Sequence, residues 1–182
     1  MNVIGNPLLA PAPGKAQNRS MQKDSLRAYS AIIPVPFGCL GLRSDAGALL
    51  EIVFLPPGTP LRAPADSACM VANLQINAYL ENPEHRFALP CRTSGSPFRR
   101  RVWDAIAAIP CGETRSYGDL AHDLCSAPRA IGQACGDNPF PIIVPCHRVR
   151  GKQGLGGFSH SSADYLLDAK CWLLRHEGAQ LL

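Results

Sequence analysis

The chain has 182 residues, 46% of them hydrophobic and 18% charged, with a formal net charge of +4. That is enough apolar material to bury a core in one domain or two small ones, which excludes a disordered tail; the mild positive balance permits a nucleic-acid partner without requiring one. Glycine and proline, at 16 and 17 residues, mark short elements with firm ends, and the apolar runs between them fall far short of a membrane span.

Residues 1–26 are polar, scattered with proline and glycine, and lack the basic start and apolar run of a secretory signal. They are expected to form a flexible leader on a cytoplasmic protein. From Tyr29 to Leu55, AIIPVPFGCLGL and ALLEIVFL flank a turn at Ser44–Gly47, which predicts two or three antiparallel strands. Asp66 to Leu80 predicts a helix, with Met70, Leu74 and Asn77 to Leu80 at near-helical spacing and Asn82-Pro83 as its stop. Residues 27–93 are thus expected to form a small α/β domain with no evident chemistry of its own, and residues 94–182 a second domain.

The second half is punctuated more sharply. Ser96 caps a predicted helix with Pro97 at its first position and Phe98, Val102, Ala105, Ile106 and Ile109 as its apolar stripe, ended by Pro110. Ser116 and Asp119 have capping-box spacing, ahead of a stripe of Tyr117, Leu120, Ala121 and Leu124. A short turn, Cys125-Ser126, leads to a further helix with Pro128 in its first turn and Asn138-Pro139 as its stop. Two short helices across a tight turn fit a helix-turn-helix. On the second of them Ala127, Ala130, Ile131, Ala134 and Cys135 follow the spacing of a buried stripe, while Arg129, Gly132, Gln133 and Gly136 form the other face. That face is nearly bare backbone with one long cation and one amide. It suits close approach to a narrow groove, and it equally suits close packing against another helix. The clusters Arg99-Arg100-Arg101 and Arg148, Arg150, Lys152 read by default as solvated charge.

Next comes NPFPIIVPCHRV, with Pro139 and Pro141 stiffening the entry, Ile142-Ile143-Val144 predicted as a short buried strand, and Pro145-Cys146-His147-Arg148 at its end. Cys146 is one of eight cysteines, with Cys39, Cys69, Cys91, Cys111, Cys125, Cys135 and Cys171. No two of them have CxxC spacing, so a zinc ribbon or dithiol redox motif is not expected, and most are read as small buried hydrophobes. Cys146 differs through its neighbours. A thiol beside an imidazole is a candidate nucleophile, and His147, Arg148 or a nearby helix N-terminus would favour its anion over the ordinary thiol with its pKa of ~8.5. Adjacent residues on a strand point to opposite sides, so His147 needs a bend or a water to reach Cys146.

From Phe98 to Gly178 the chain resembles the O6-alkylguanine-DNA alkyltransferases, also called methylated-DNA–protein-cysteine methyltransferases. The segments GETRSYGDLA, PRAIGQACGDNPFPIIVPCHRV, GLGGFS and KCWLLRHEG stand in that family's order with near-family spacing. The resemblance implies a ribonuclease-H-like α/β domain, an antiparallel sheet plus a helix, followed by a mainly α, winged-helix-like helix-turn-helix domain. It implies direct-reversal DNA repair: O6-alkylguanine, with O4-alkylthymine as a second lesion, is flipped out of duplex DNA approached through its minor groove. The alkyl group passes irreversibly to Cys146, once per molecule. His147, through a water, would take the thiol proton, and Glu177 would orient His147; an acid at a helix C-terminus has the wrong sign for the dipole, which fits a second role. Tyr117 would sit at the target nucleotide and hydrogen-bond the guanine ring, and Arg129 would fill the gap in the base stack. Ala127, Ala130, Gly132, Gln133 and Gly136 would share the DNA face. Asn138 would fix the turn before the cysteine, and Val144, Pro145, Phe158 and Ser159 would line the pocket. No cofactor is implied, the partner is double-stranded DNA rather than a membrane, and a monomer is expected.

Some features depart from the family. Phe158 stands where many members have tyrosine, the turn before Arg129 is shorter, and residues around HSSAD lengthen the loop beside the pocket. Some relatives bind zinc through an early cysteine pair and histidines; with His85 but no such pair, no metal site is expected here. A catalytically silent DNA-damage binder on the same scaffold would lack the cysteine, so Cys146 argues against it. A cysteine hydrolase would leave the helix-turn-helix unexplained.

Overall fold

Three strands open the fold: β1 (Ala31–Val35), β2 (Gly38–Asp45) and β3 (Ala48–Leu55) form an antiparallel meander in the order β1-β2-β3. The structure, a computed structural model, describes residues 28–92, 94–152, 154–156 and 164–180. The leader expected at residues 1–26 and the pocket residues Phe158 and Ser159 lie outside the described residues. Ala46 and Gly47 both have positive φ (47° and 79°), as a two-residue hairpin whose twist matches its strands requires. One sheet face buries Ala31, Ile33, Leu40, Leu42, Ile52 and Phe54.

Against that face lies α1 (Ser67–Glu81), whose first turn is capped by Asp66 accepting from the Cys69 N–H at 2.9 Å. Its inward side is Ala68, Cys69, Ala72, Ile76 and Tyr79, whereas Met70 and Leu74 are 55% and 70% exposed. The expected face is therefore corrected. The residues nearest the sheet are small at the start of the helix, so the larger apolar side chains there do not mark the buried stripe.

α2 (Pro97–Ala107) begins where Ser96 accepts from the Arg99 N–H, and it buries Val102, Trp103 and Ile106. Phe98 and Ala105 only flank that core, and Trp103, absent from the expected stripe, donates Nε1–H to the Ala134 carbonyl at 2.8 Å. α3 (Tyr117–Asp123) and α4 (Pro128–Gly136) follow, joined by a turn in which Cys125 has φ 49°. The capping box at Ser116 and Asp119 is formed as the spacing predicts. On α4, Ile131, Ala134 and Cys135 are buried, Ala130 is half-buried, and Ala127 is the exposed N-cap rather than part of the buried stripe.

The segment expected as a strand at Ile142–Val144 is instead a tight turn. The Val144 N–H donates to the Phe140 carbonyl at 2.8 Å, and Ile142 takes φ 78°, a left-handed conformation rare for a β-branched residue. The prolines at 139 and 141 remove N–H donors that a strand ladder would need, and Asn138 supplies the turn's hydrogen bonds instead. A single 3₁₀ turn, Cys146–Arg148, leads into β5 (Val149–Arg150), which pairs parallel with β4 (Arg115–Ser116). α5 (Asp164–His176) closes the described fold.

Two cores result. The second, with Ile106, Leu120, Ile131 and Val149, lies among α2, α3 and α4. The first spans both halves of the chain, since Phe140, Ile142, Cys146, Leu166, Ala169 and Leu173 pack with the sheet and α1. No helix among the described residues is long and apolar enough to cross a membrane.

Candidate active site

Cys146 enters the site because the turn before it is held from one residue. Asn138 donates Nδ2–H to the Val144 carbonyl at 2.8 Å and accepts the Phe140 N–H at 3.0 Å; the Cys146 N–H donates to that same Val144 carbonyl at 2.8 Å. The 3₁₀ turn then separates successive side chains by roughly a third of a revolution, in place of the alternation of a strand. Cys146 faces the first core and His147 faces α5, and both are buried.

Burial raises the Cys146 thiol above its ordinary value, against the opposing pull of the Asn138 amide, the Lys170 ammonium and the N–H groups of Cys146 and His147. The resting thiol therefore keeps its proton, and a base must take it. Burial also lowers His147, in spite of Glu177, so the imidazole is neutral near pH 7. Its Nε2 lies 2.8 Å from Glu177 Oε1, and a carboxylate can only accept, so Nε2 carries the ring proton. Nδ1 is buried with no hydrogen-bond partner among the described residues. It is the ring atom left to receive a proton.

Glu177 is held by more than histidine. Arg148 donates Nε–H to Oε2 at 2.8 Å and Nη2–H to Oε1 at 2.9 Å, and the Tyr79 hydroxyl donates to Oε1 at 2.7 Å. Burial alone would raise this carboxyl, but the hydrogen bonds from His147, Arg148 and Tyr79 outweigh it and bring it down to about 2. Arg148 also donates Nη1–H to the Ile109 carbonyl at 2.5 Å. The expectation of a solvated cation is overturned for this residue, because a buried carboxylate and a helix-end carbonyl both need its protons. Arg150 turns inward too, with Nε–H donating to Thr114 Oγ1 at 3.1 Å.

Lys170 completes the buried set. Its ammonium donates to the carbonyls of Val149 (2.8 Å) and Leu155 (2.5 Å), and burial lowers it to about 8 while Cys146 and Cys135 oppose that shift. Sequence reasoning missed Lys170, although a signal exists: it falls on the stripe Leu166, Ala169, Lys170, Leu173, Leu174 that α5 buries. Tyr79 was missed with no local signal, since its partner is 98 residues away.

Tyr117 opens α3 directly after the capping Ser116, so the cap fixes where its ring begins. The ring packs against the second core, and burial raises its hydroxyl pKa, with Cys135 and Cys146 near enough to add to the shift. Of the pocket residues, Pro145 is buried and Val144 half-buried. On the outer side of α4, Ala127, Arg129 and Gln133 are exposed, and Gly132 and Gly136 half-exposed. A Cβ built on Gly132 would meet nothing within 4 Å. Close packing among the described residues therefore does not explain that glycine.

Residues 97–179 match the family model described as the DNA-binding domain of 6-O-methylguanine DNA methyltransferase. A methylated-DNA–protein-cysteine methyltransferase of Methanosarcina acetivorans is 35% identical over 159 residues, covering 83% of this chain and 99% of that protein. One of Shigella flexneri is 47% identical over 97 residues, 52% of this chain and 54% of its own length. The chain thus spans about half the length of the first relatives it matches. Among solved structures, an O6-methylguanine methyltransferase of Mycobacterium tuberculosis is 34% identical with a TM-score of 0.67, covering 81% of this chain and 90% of that one. The structure of that organism's OGT in complex with DNA is 37% identical, with a TM-score of 0.68 and coverage of 81% and 91%.

Proposed function

The chain belongs to the methylated-DNA–protein-cysteine methyltransferase family, and we propose that it repairs O6-alkylguanine in duplex DNA by moving the alkyl group to Cys146. The observation that carries this reading is a buried thiol next in the chain to a buried imidazole whose Nε2 is tied to Glu177 and whose Nδ1 has no hydrogen-bond partner among the described residues. His147 Nδ1 takes the Cys146 proton across one water. The sulfur attacks the carbon on guanine O6, the S–C bond forms as the O–C bond breaks, and guanine leaves. The proton returns to the leaving base, towards which Tyr117 donates. The product is a thioether that water does not cleave, so each chain acts once. O4-alkylthymine presents the same alkyl–oxygen bond and is read as a second substrate.

DNA binds on the outer side of α4. Gly132, open to solvent at some cost in helix propensity, admits a close surface, and Ala127, Ala130, Gln133 and Gly136 flank it. Arg129 enters the stack where the target leaves, offsetting part of an unstacking cost of a few kcal/mol. Groove approach through bare backbone favours the minor groove. One chain meets one lesion, so a monomer suffices, and a reducing cytoplasm suits eight free thiols.

Incubation with a duplex holding one O6-methylguanine should leave a single methyl on the peptide containing Cys146, at no more than one per chain. Cys146→Ser should abolish transfer and keep DNA binding. Methylation elsewhere or repeated turnover overturns the mechanism; binding without any transfer by the unaltered chain points to a damage-recognition protein.

A further inference from the structure

Glu177 Oε1 is shared by three donors: His147 Nε2 at 2.8 Å, Arg148 Nη2 at 2.9 Å and the Tyr79 hydroxyl at 2.7 Å. Two of them come from the turn carrying the thiol. The third comes from α1, in the half of the chain for which the sequence offers no chemistry. Tyr79 is 1% exposed and fixed on every side. Its carbonyl accepts His176 Nε2–H at 2.8 Å, its ring meets His176 edge-on at 5.3 Å, and it lies 5.7 Å from the ring of Phe87.

A carboxylate that binds a histidine N–H tightly favours the imidazolium, which has no lone pair left for a thiol proton. Each further donor on the same oxygen draws density away from the histidine and weakens that preference. We propose that Tyr79 is a positioning residue for alkyl transfer: by sharing Glu177 Oε1 it keeps His147 neutral at rest, with Nδ1 available as the base. The other charged or titratable groups around this pair are Cys146 and Arg148 on the 3₁₀ turn, Lys170 and His176 on α5, and Cys111 with Glu84 beyond it. Arg148 and Lys170 also disfavour the imidazolium, and Tyr79 is the one donor to this carboxylate from the N-terminal half among the described residues. The proposal rests on Cys146 being the alkyl acceptor, but the protonation of His147 can be read without substrate.

Tyr79→Phe keeps the ring contacts and removes only the hydroxyl. With ¹⁵N-labelled histidine, the His147 pKa should rise by about one unit, and the acid limb of transfer to Cys146 should move up with it, making transfer about tenfold slower below the limb. Above the limb the rate should match that of the unaltered chain. A free O6-alkylguanine base and a damaged duplex should shift alike, because Tyr79 acts through Glu177 and His147 rather than on the DNA. Replacing Tyr79 by 3-fluorotyrosine, a more acidic donor of nearly the same size, should move both readouts the opposite way and decides the matter if the phenylalanine variant does not fold. In a Glu177→Gln background neither change should move His147. An unchanged His147 pKa with a uniform loss of rate at all pH, or no change in either readout, overturns the proposal. Absence of transfer by the unaltered chain would instead overturn the functional reading and leave the NMR arm to stand or fall alone.

Discussion

Lys170 sits where an apolar residue would ordinarily lie, and its two carbonyl partners explain how a buried cation is tolerated there. Its positive charge favours the Cys146 thiolate while His147 is neutral. Lys170→Met should therefore move the pH profile of Cys146 alkylation by a small electrophile upward, with a rate about tenfold lower near neutral pH. The advantage of the unaltered chain should fade as the pH passes about 8, where Lys170 itself loses its proton. Kinetics of thiol labelling against pH check both parts. The residue was legible in principle, as a cation on an apolar helical stripe. Cys146 and His147 could be singled out from the sequence, because their neighbours in the chain set them apart.

At the level of elements, α3 and α4 carry the predicted DNA contacts, and the start of α3 was readable because its cap is local. The side chain of Ser116 accepts the Asp119 N–H at 3.0 Å and that of Asp119 accepts the Ser116 N–H at 3.0 Å. Ser116→Ala should cost ~0.5–2 kcal/mol in thermal or urea unfolding and slow transfer from duplex DNA by loosening Tyr117. Gly132→Leu offers a sharper test of the outer face. A Cβ there meets no atom of the described residues within 4 Å and leucine has the better helix propensity, so stability should hold or rise by up to ~1 kcal/mol. Duplex affinity should nevertheless collapse in a gel-shift or anisotropy titration. Arg129→Ala should slow repair of a duplex and leave reaction with a free O6-alkylguanine base unchanged; equal rates on the duplex would refute its role. The turn at Ile142–Val144 was not legible as such. Three apolar residues in a row look like a strand until Asn138 is seen bonding across them.

Across the whole molecule, the Tyr79–Glu177–Arg148 contacts join the two halves of the chain at the site itself. The Glu177 carboxyl lies below its ordinary value in the folded state, so the unfolded chain binds the extra proton first as the pH falls. Its contribution to stability should be complete above the ordinary glutamate range and drain away as the pH drops towards about 2. Melting temperature followed through that acid window should fall less steeply for Glu177→Gln, from a lower starting point. Because the first core holds residues of the sheet, α1, the 138–146 turn and α5 together, the same acid step should loosen both halves in one transition.

Length and punctuation were enough to expect strands followed by short capped helices, and the PCHRV segment to single out Cys146, since each rests on residues within a few positions of one another. The exposed Met70 and Leu74, the turn in place of a strand, and the arginine drawn inward were decided by packing. So were the contacts of Tyr79 and Lys170. A side chain's partner is chosen by the fold when that partner is far away in sequence, and a buried carboxylate with four hydrogen bonds to collect can draw them only from whatever the tertiary structure brings within reach.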